Sequence, residues 1–264
     1  MSRIPFEQLP ADVRQAIVDK TGRVHAARTV RGGMNSGIAS VLETESGSVF
    51  VKGIPADHPQ VGAQRREAAI APHLPASCPR LHWHLELDGW SLLGYEVIDG
   101  RHADYAPGSP DLLLVEAALT DLQQATAPTD IEIKDAVDRW AEYAPPGTLH
   151  YFGGDALLHT DFAPDNVLIA GGRARLVDWA WPTRGAAWID PGALALRLME
   201  AGHTVDEAAA FAGRFPSWRE AEPEALAAFG TATAALWNEI ADEAEAPWKR
   251  DMALHAKALA HALG

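Results

Sequence analysis

The chain has 264 residues, of which 36 are Asp or Glu and 22 Lys or Arg, giving a formal charge of -14 with 47% apolar and 22% charged residues. That length and balance suit one large globular domain or two lobes sharing a cleft, and they exclude the disordered class. The charge and the lack of any Lys/Arg run predict no nucleic-acid partner. Cys78 is the only cysteine, which excludes an internal disulfide and a cysteine-built zinc site. With no apolar leader and no long apolar stretch, no membrane partner is expected and the protein is placed in the cytoplasm.

In chain order, residues 10 to 20 read as a short helix opened by Pro10, with Gly22 just past its end. Arg23 to Val30, Ile38 to Thr44 and Ser48 to Gly53 have strand character, the last two joined by the turn Glu45-Ser46-Gly47. Gln60 to Leu74 is helical in pattern. Leu81 to Leu87 and Ser91 to Ile98 then alternate as a strand pair around Asp88-Gly89. These elements predict an antiparallel sheet with one main helix. After Asp99-Gly100 the texture changes to Pro and Gly punctuation followed by long helical segments, so a lobe boundary is expected near residue 100, between 1–99 and 100–264. Helices are expected over 111–125, 131–143, 190–201, 205–213 and 221–262, the last broken at Pro247. The exception is a hairpin in which Val167-Leu168-Ile169 and Ala174 to Val177 flank Gly171-Gly172.

Chemistry concentrates at that hairpin. The run Leu158-His159-Thr160-Asp161-Phe162-Ala163-Pro164-Asp165-Asn166 and the following Val177-Asp178-Trp179 put three oxygen-bearing side chains, Asp161, Asn166 and Asp178, at the mouth of one strand pair. Asn166 and Asp178 suffice for Mg2+, which takes hard oxygen ligands and only one or two from protein. Asp161 is then free to orient a hydroxyl nucleophile and accept its proton.

These residues resemble the catalytic and metal-binding loops of the aminoglycoside phosphotransferase family. There a His-x-Asp-x-x-x-x-Asn pattern is followed by a strand and a metal-binding Asp, matched here by His159, Asp161, Asn166 and Asp178. The resemblance implies an α+β, two-lobe, protein-kinase-like fold with an N-terminal nucleotide-binding lobe and a mainly helical C-terminal lobe. It also implies transfer of the γ-phosphoryl group of ATP or GTP, with Mg2+, to a hydroxyl-bearing small molecule. Lys52 on the third strand is the expected phosphate-binding cation and Glu67 on the next helix its carboxylate partner. The loop around Gly33, Asn35, Ser36 and Gly37 is expected to offer backbone N–H groups and the Ser36 hydroxyl to the phosphates. Tyr95-Glu96-Val97-Ile98 resembles the hinge that meets the nucleotide base, through Glu96 and Ile98. His159 and Asp190, the latter in Trp188-Ile189-Asp190-Pro191, are expected to brace the catalytic loop. The sequence departs from the family at Leu194, where a further Asp is common before Leu-Ala.

Other features have blander readings. Trp179 and Trp181 could wall a substrate pocket, although core is the commoner role for such a Trp. His82 and His84 share a strand face without a third ligand nearby. Glu239, Asp242, Glu243 and Glu245 read as a solvated helix face. The acceptor is expected to be an antibiotic, with choline, a sugar or a similar metabolite as the alternative and a catalytically silent nucleotide-binding module as the rival of another class. Against that rival stands Asp161, which a pure binder does not need. A peptide acceptor is disfavoured by the short stretch between Asp178 and Asp190.

Overall fold

A computed structural model describes residues 3–30, 36–243 and 246–264. Helix α1 (Ala11–Thr21) leads into β1 (Val24–Thr29), β2 (Ile38–Thr44) and β3 (Gly47–Pro55), followed by α2 (Val61–Ile70) and the hairpin of β4 (Leu81–Leu87) and β5 (Trp90–Glu96). The five strands form one antiparallel sheet in the order β1-β2-β3-β5-β4. Asp88 and Gly89 both adopt positive φ in the β4–β5 turn, the backbone that a two-residue hairpin requires.

Period-two alternation along β3 sorts the sheet into two faces. Val49 and Val51 are buried with Ile38, Leu42 and Leu92 against Phe6, Leu9, Val13 and Ile17, so the N-terminal segment and α1 cover one face. Lys52, one position on, falls to the other face, where α2 lies. Thus the strand pattern that builds the core also aims the lysine at Glu67.

The second lobe begins with β6 (Arg101–His102), which pairs with β9 (Val167–Ala170), itself paired with β10 (Arg173–Leu176). Between them lie α3 (Asp111–Leu122), β7 (Lys134–Asp135), α4 (Ala136–Trp140) and β8 (Ala156–Leu158). After β10 come β11 (Thr183–Gly185), α5 (Ile189–Glu200), α6 (Val205–Ala212), α7 (Pro216–Arg219), α8 (Pro223–Glu243) and α9 (Pro247–Leu263). Their apolar faces share a large core that includes Leu119, Phe152, Phe162, Leu198, Phe229 and Leu259. α9 starts at Pro247, the position expected to break the last helical stretch, because proline supplies no N–H and is tolerated only in a first turn.

One expected helix is different. Residues 131–143 hold only the short α4, because Lys134 and Asp135 are drawn into parallel pairing with Thr183 and Arg184 of β11. The Asp135 carboxylate then accepts the Val137 N–H at 2.8 Å and caps α4, which restricts the helix to the residues after it. The helix expected over 60–74 is also shorter, ending at Ile70 and continuing as a 3₁₀ turn over Ala71–His73. Among the described residues, no helix is long and apolar enough to cross a membrane.

Candidate active site

Lys52 sits between two carboxylates, with its Nζ 2.7 Å from Glu67 Oε2 and 2.9 Å from Asp178 Oδ1. Tyr95, buried on β5, donates its hydroxyl to the other Glu67 oxygen at 2.9 Å. Burial opposes the charge on Lys52, but Asp178 and Glu67 outweigh it and raise the ammonium above its ordinary range. Lys52 in turn holds the Asp178 carboxyl below its ordinary value, against the opposing effect of burial. Burial raises Glu67, with Lys52 acting against it. The site therefore holds a fixed cation whose inner partner is enclosed, while half of the Asp178 side chain is exposed.

The loop that carries Asp161 is anchored by α5. Asp190, buried in its first turn, accepts the backbone N–H groups of His159 and Thr160, each at 2.9 Å, one on each carboxylate oxygen. Thr160 has φ of 67°, a conformation that β-branched residues rarely adopt, and the Asp190 bonds hold it there. Burial raises the Asp190 carboxyl to about 6, with the two N–H bonds pulling the other way.

His159 is buried, with its Nε2 2.9 Å from the Val177 carbonyl oxygen and its Nδ1 accepting the Asp161 N–H at 3.3 Å. A carbonyl can only accept and an amide N–H can only donate, so the proton lies on Nε2 and both ring nitrogens are engaged. The ring thus clamps the strand end before Asp178 to the loop bearing Asp161. Trp179 packs edge-on against it with centroids 4.6 Å apart and is core.

Asp161 and Asn166 face one another. Asn166 Nδ2 donates to Asp161 Oδ2 at 3.0 Å, so the amide oxygen of Asn166 is turned away from that carboxylate. Asp161 Oδ1 accepts from the Ala163 N–H at 3.2 Å and from Arg197 Nη2 at 3.1 Å. Asp178, like Thr160, has a left-handed backbone, with φ of 64°. A divalent cation fits the donor set of Asn166 and Asp178, which is hard, oxygen-based and partly open. Among the described residues there is no cluster of three His, Cys, Asp or Glu that would hold a metal without help from a ligand, and His82 and His84 belong to none.

Of the remaining expected residues, Gly33 and Asn35 lie outside the described residues. Ser36 and Gly37 lead into β2, and the Gly37 carbonyl oxygen accepts the Ile4 N–H at 2.8 Å. Glu96 ends β5 with its carboxylate on Arg175 of β10 and on the Arg80 N–H at 3.1 Å, so its side chain joins the sheet to the hairpin of the second lobe. Ile98, half-buried, lies in the connection between the lobes.

Two arginines were missed by sequence reasoning. Arg197 lies about two helical turns beyond Asp190 on α5 and so returns to the same face, a spacing that could have revealed it. Arg139 donates to the hydroxyls of Thr160 at 2.7 Å and Thr183 at 2.6 Å, a long-range pairing that the sequence does not encode locally.

No protein-family model and no curated protein matches the sequence. Solved structures do. Choline kinase LicA from Streptococcus pneumoniae superposes with a TM-score of 0.62 at 14% identity, covering 95% of this chain and 98% of its own. Aminoglycoside phosphotransferase APH(4)-Ia, in a ternary complex with ADP and hygromycin B, gives 0.59 at 14% identity and covers 96% and 98%. A putative aminoglycoside phosphotransferase from Ralstonia eutropha gives 0.59 at 11% identity and covers 96% and 97%. The chain has the two-lobe fold of these proteins. That likeness spans both lobes and fixes the architecture, while the chemistry rests on the side chains described above.

Proposed function

We propose that this chain is a small-molecule kinase that transfers the γ-phosphoryl group of ATP or GTP to a hydroxyl group. The observation that carries this reading is the convergence of Asp161, Asn166 and Asp178 at one loop pair with Lys52 held between Glu67 and Asp178. A binding module has use for the cation and the metal ligands, but only transfer needs the carboxylate of Asp161 beside them.

In this reading residues 1–99 form the nucleotide-binding lobe and 100–264 the catalytic and substrate-binding lobe. Lys52 neutralises phosphate charge, Glu67 and Tyr95 keep Lys52 in place, and Ser36 and Gly37 offer backbone N–H groups to the phosphates. The base meets the connection at Glu96 to Ile98 through main-chain groups. Asn166 and Asp178 would hold Mg2+, which supplies charge neutralisation on the phosphates when bound. The acceptor hydroxyl gives its proton to Asp161 as its oxygen bonds to the γ-phosphorus, and the bond to the leaving nucleoside diphosphate breaks. His159 and Asp190 position the loop and move no proton. A cytoplasmic location, where nucleoside triphosphate is supplied, accords with this chemistry.

For the acceptor we propose an antibiotic whose phosphorylation confers resistance. A second reading, a metabolite kinase acting on a cation such as choline, is favoured by the surroundings of Arg197. Its Nη1 meets Glu200 at 2.9 Å, its guanidinium stacks 5.5 Å from the Trp237 ring, and Trp237 meets Trp248 edge-on at 6.2 Å. A cleft of about 270 Å3 adjoins Glu200 and is lined by Trp248, Asp251, Leu254 and His255, aromatic and carboxylate groups suited to an organic cation. The test is a nucleotide-consumption screen against pooled antibiotics and hydroxylated metabolites, with mass spectrometry reading the added phosphate. No phosphorylated product from a broad screen would count against transfer itself.

A further inference from the structure

Trp181, three residues past Asp178, is 43% exposed, and three cations surround its ring. Lys134 Nζ lies 4.6 Å from the ring centroid, and the guanidinium carbons of Arg66 and Arg139 each lie 5.8 Å from it. They come from different elements, Arg66 from α2, Lys134 from β7 and Arg139 from α4. Among the described residues none of the three forms a direct ion pair with a carboxylate, although Asp and Glu outnumber Lys and Arg by 36 to 22 in the chain; Arg139 feels Asp190 and Asp161 only at a distance. Arg139 spends one nitrogen on two hydroxyls, and Arg66 Nε is buried with no hydrogen-bond partner. Arg139 also stacks on Trp140 at 5.0 Å, but three like charges gathered around Trp181 repel one another, and burial adds to the cost. Desolvation and the neighbouring guanidinium of Arg66 lower Lys134, and burial lowers Arg139 to about 10 against the opposing effect of Asp190 and Asp161.

We propose that Arg66, Lys134 and Arg139 form, with Trp181, a binding site for a phosphoryl dianion, distinct from the Lys52–Asp178 pair and from the acceptor position at Asp161. Two guanidiniums and an ammonium more than offset the charge of a dianion and supply the donors that a tetrahedral oxyanion accepts. Arg66 precedes Glu67 by one residue and so projects about 100° away from it around α2, which turns the site away from the Lys52–Glu67 pair. The Asp161 oxygens are turned toward Asn166, Ala163 and Arg197 instead. A bound dianion would join α2, which carries Glu67, to Thr160 through Arg139. The source is free phosphate or an organic phosphomonoester whose neighbouring group rests on the exposed Trp181 face. This inference is independent of the phosphotransfer reading, because its test measures binding.

The experiment titrates inorganic phosphate and, separately, phenyl phosphate into the full chain by calorimetry at fixed ionic strength, in the wild type and in Arg66→Gln and Lys134→Gln. Thermal unfolding first confirms that each variant is folded, as expected for the two partly exposed side chains. Saturable binding is expected in the wild type, weakened about tenfold or more in each variant, the loss that goes with one charge-assisted hydrogen bond. Lys134→Arg should restore it. Equal affinity for the two probes would assign the site to free phosphate, and tighter phenyl phosphate to a monoester stacked on Trp181; Trp181→Phe should then weaken that preference. Absence of saturable binding in the wild type would overturn the proposal. So would binding that survives both substitutions, which would place the phosphate at Lys52.

Discussion

Arg197 Nη2 donates to Asp161 Oδ1 at 3.1 Å, so the carboxylate proposed to receive the proton is held by a cation from α5, the helix whose first turn supports the loop through Asp190. One rigid element thus sets both the backbone of the loop and the rotamer of its reactive side chain. Replacing Arg197 with Leu should lower kcat about tenfold or more through loss of orientation, with nucleotide affinity unchanged. Arg197→Lys should recover part of the loss. Steady-state kinetics beside calorimetric nucleotide titration separates the two effects.

Asp161→Asn should abolish transfer, lowering kcat by about 10²- to 10⁴-fold, while nucleotide affinity stays within a few fold. In the proposed reaction this carboxylate acts on the acceptor and not on the phosphates. Full activity in this variant would remove Asp161 from the base position.

Asp178→Ala should leave nucleotide affinity insensitive to Mg2+, because it deletes the anionic member of the ligand pair. Calorimetric titrations with and without the ion would decide, and an unchanged magnesium effect would take Asp178 out of the site.

Lys52→Met should destabilise the fold by about 3 kcal/mol, since it leaves Glu67 buried beside Tyr95 with no cation. The sign with pH follows from burial, which already raises the Glu67 carboxyl. A carboxyl whose folded-state value is raised is best tolerated protonated, so the variant's deficit should be smaller near pH 5 and larger near pH 8. Urea unfolding at the two pH values measures it.

Asp190 offers the same test at a single residue. Its carboxyl lies near 6 when folded, above the ordinary unfolded range, so between those values the folded state binds more protons than the unfolded one. Its stabilising contribution is therefore greatest at low pH and declines as pH rises through about 6. The stability of the wild type relative to Asp190→Asn should fall over that window, by on the order of 3 kcal/mol, and level off above it. Asp190→Ala should cost about 2 to 4 kcal/mol below that window by orphaning two buried N–H groups, and less above it, because the wild type alone loses stability as pH rises.

What the sequence determined by itself was whatever local pattern encodes. Alternation placed Val49 and Val51 in the core and Lys52 on the opposite face, turn residues Asp88-Gly89 and Gly171-Gly172 closed two hairpins, and Pro247 opened the last helix. The order of Lys52, Glu67, Asp161, Asn166 and Asp178 also pointed to one chemistry before any distance was available. Tertiary structure decided what depends on partners far apart in the chain. Lys134 and Asp135 became a strand because β11 offered them hydrogen bonds that a helix would have had to forgo, and Tyr95 reached Glu67 only through strand pairing and helix packing. Arg197 on Asp161, Arg139 on Thr160 and the three cations around Trp181 likewise arise where separate elements meet. The reason is physical: backbone propensity and periodicity act over a few residues, whereas the energy of a buried charge depends on everything packed around it, and only the folded chain brings those groups together.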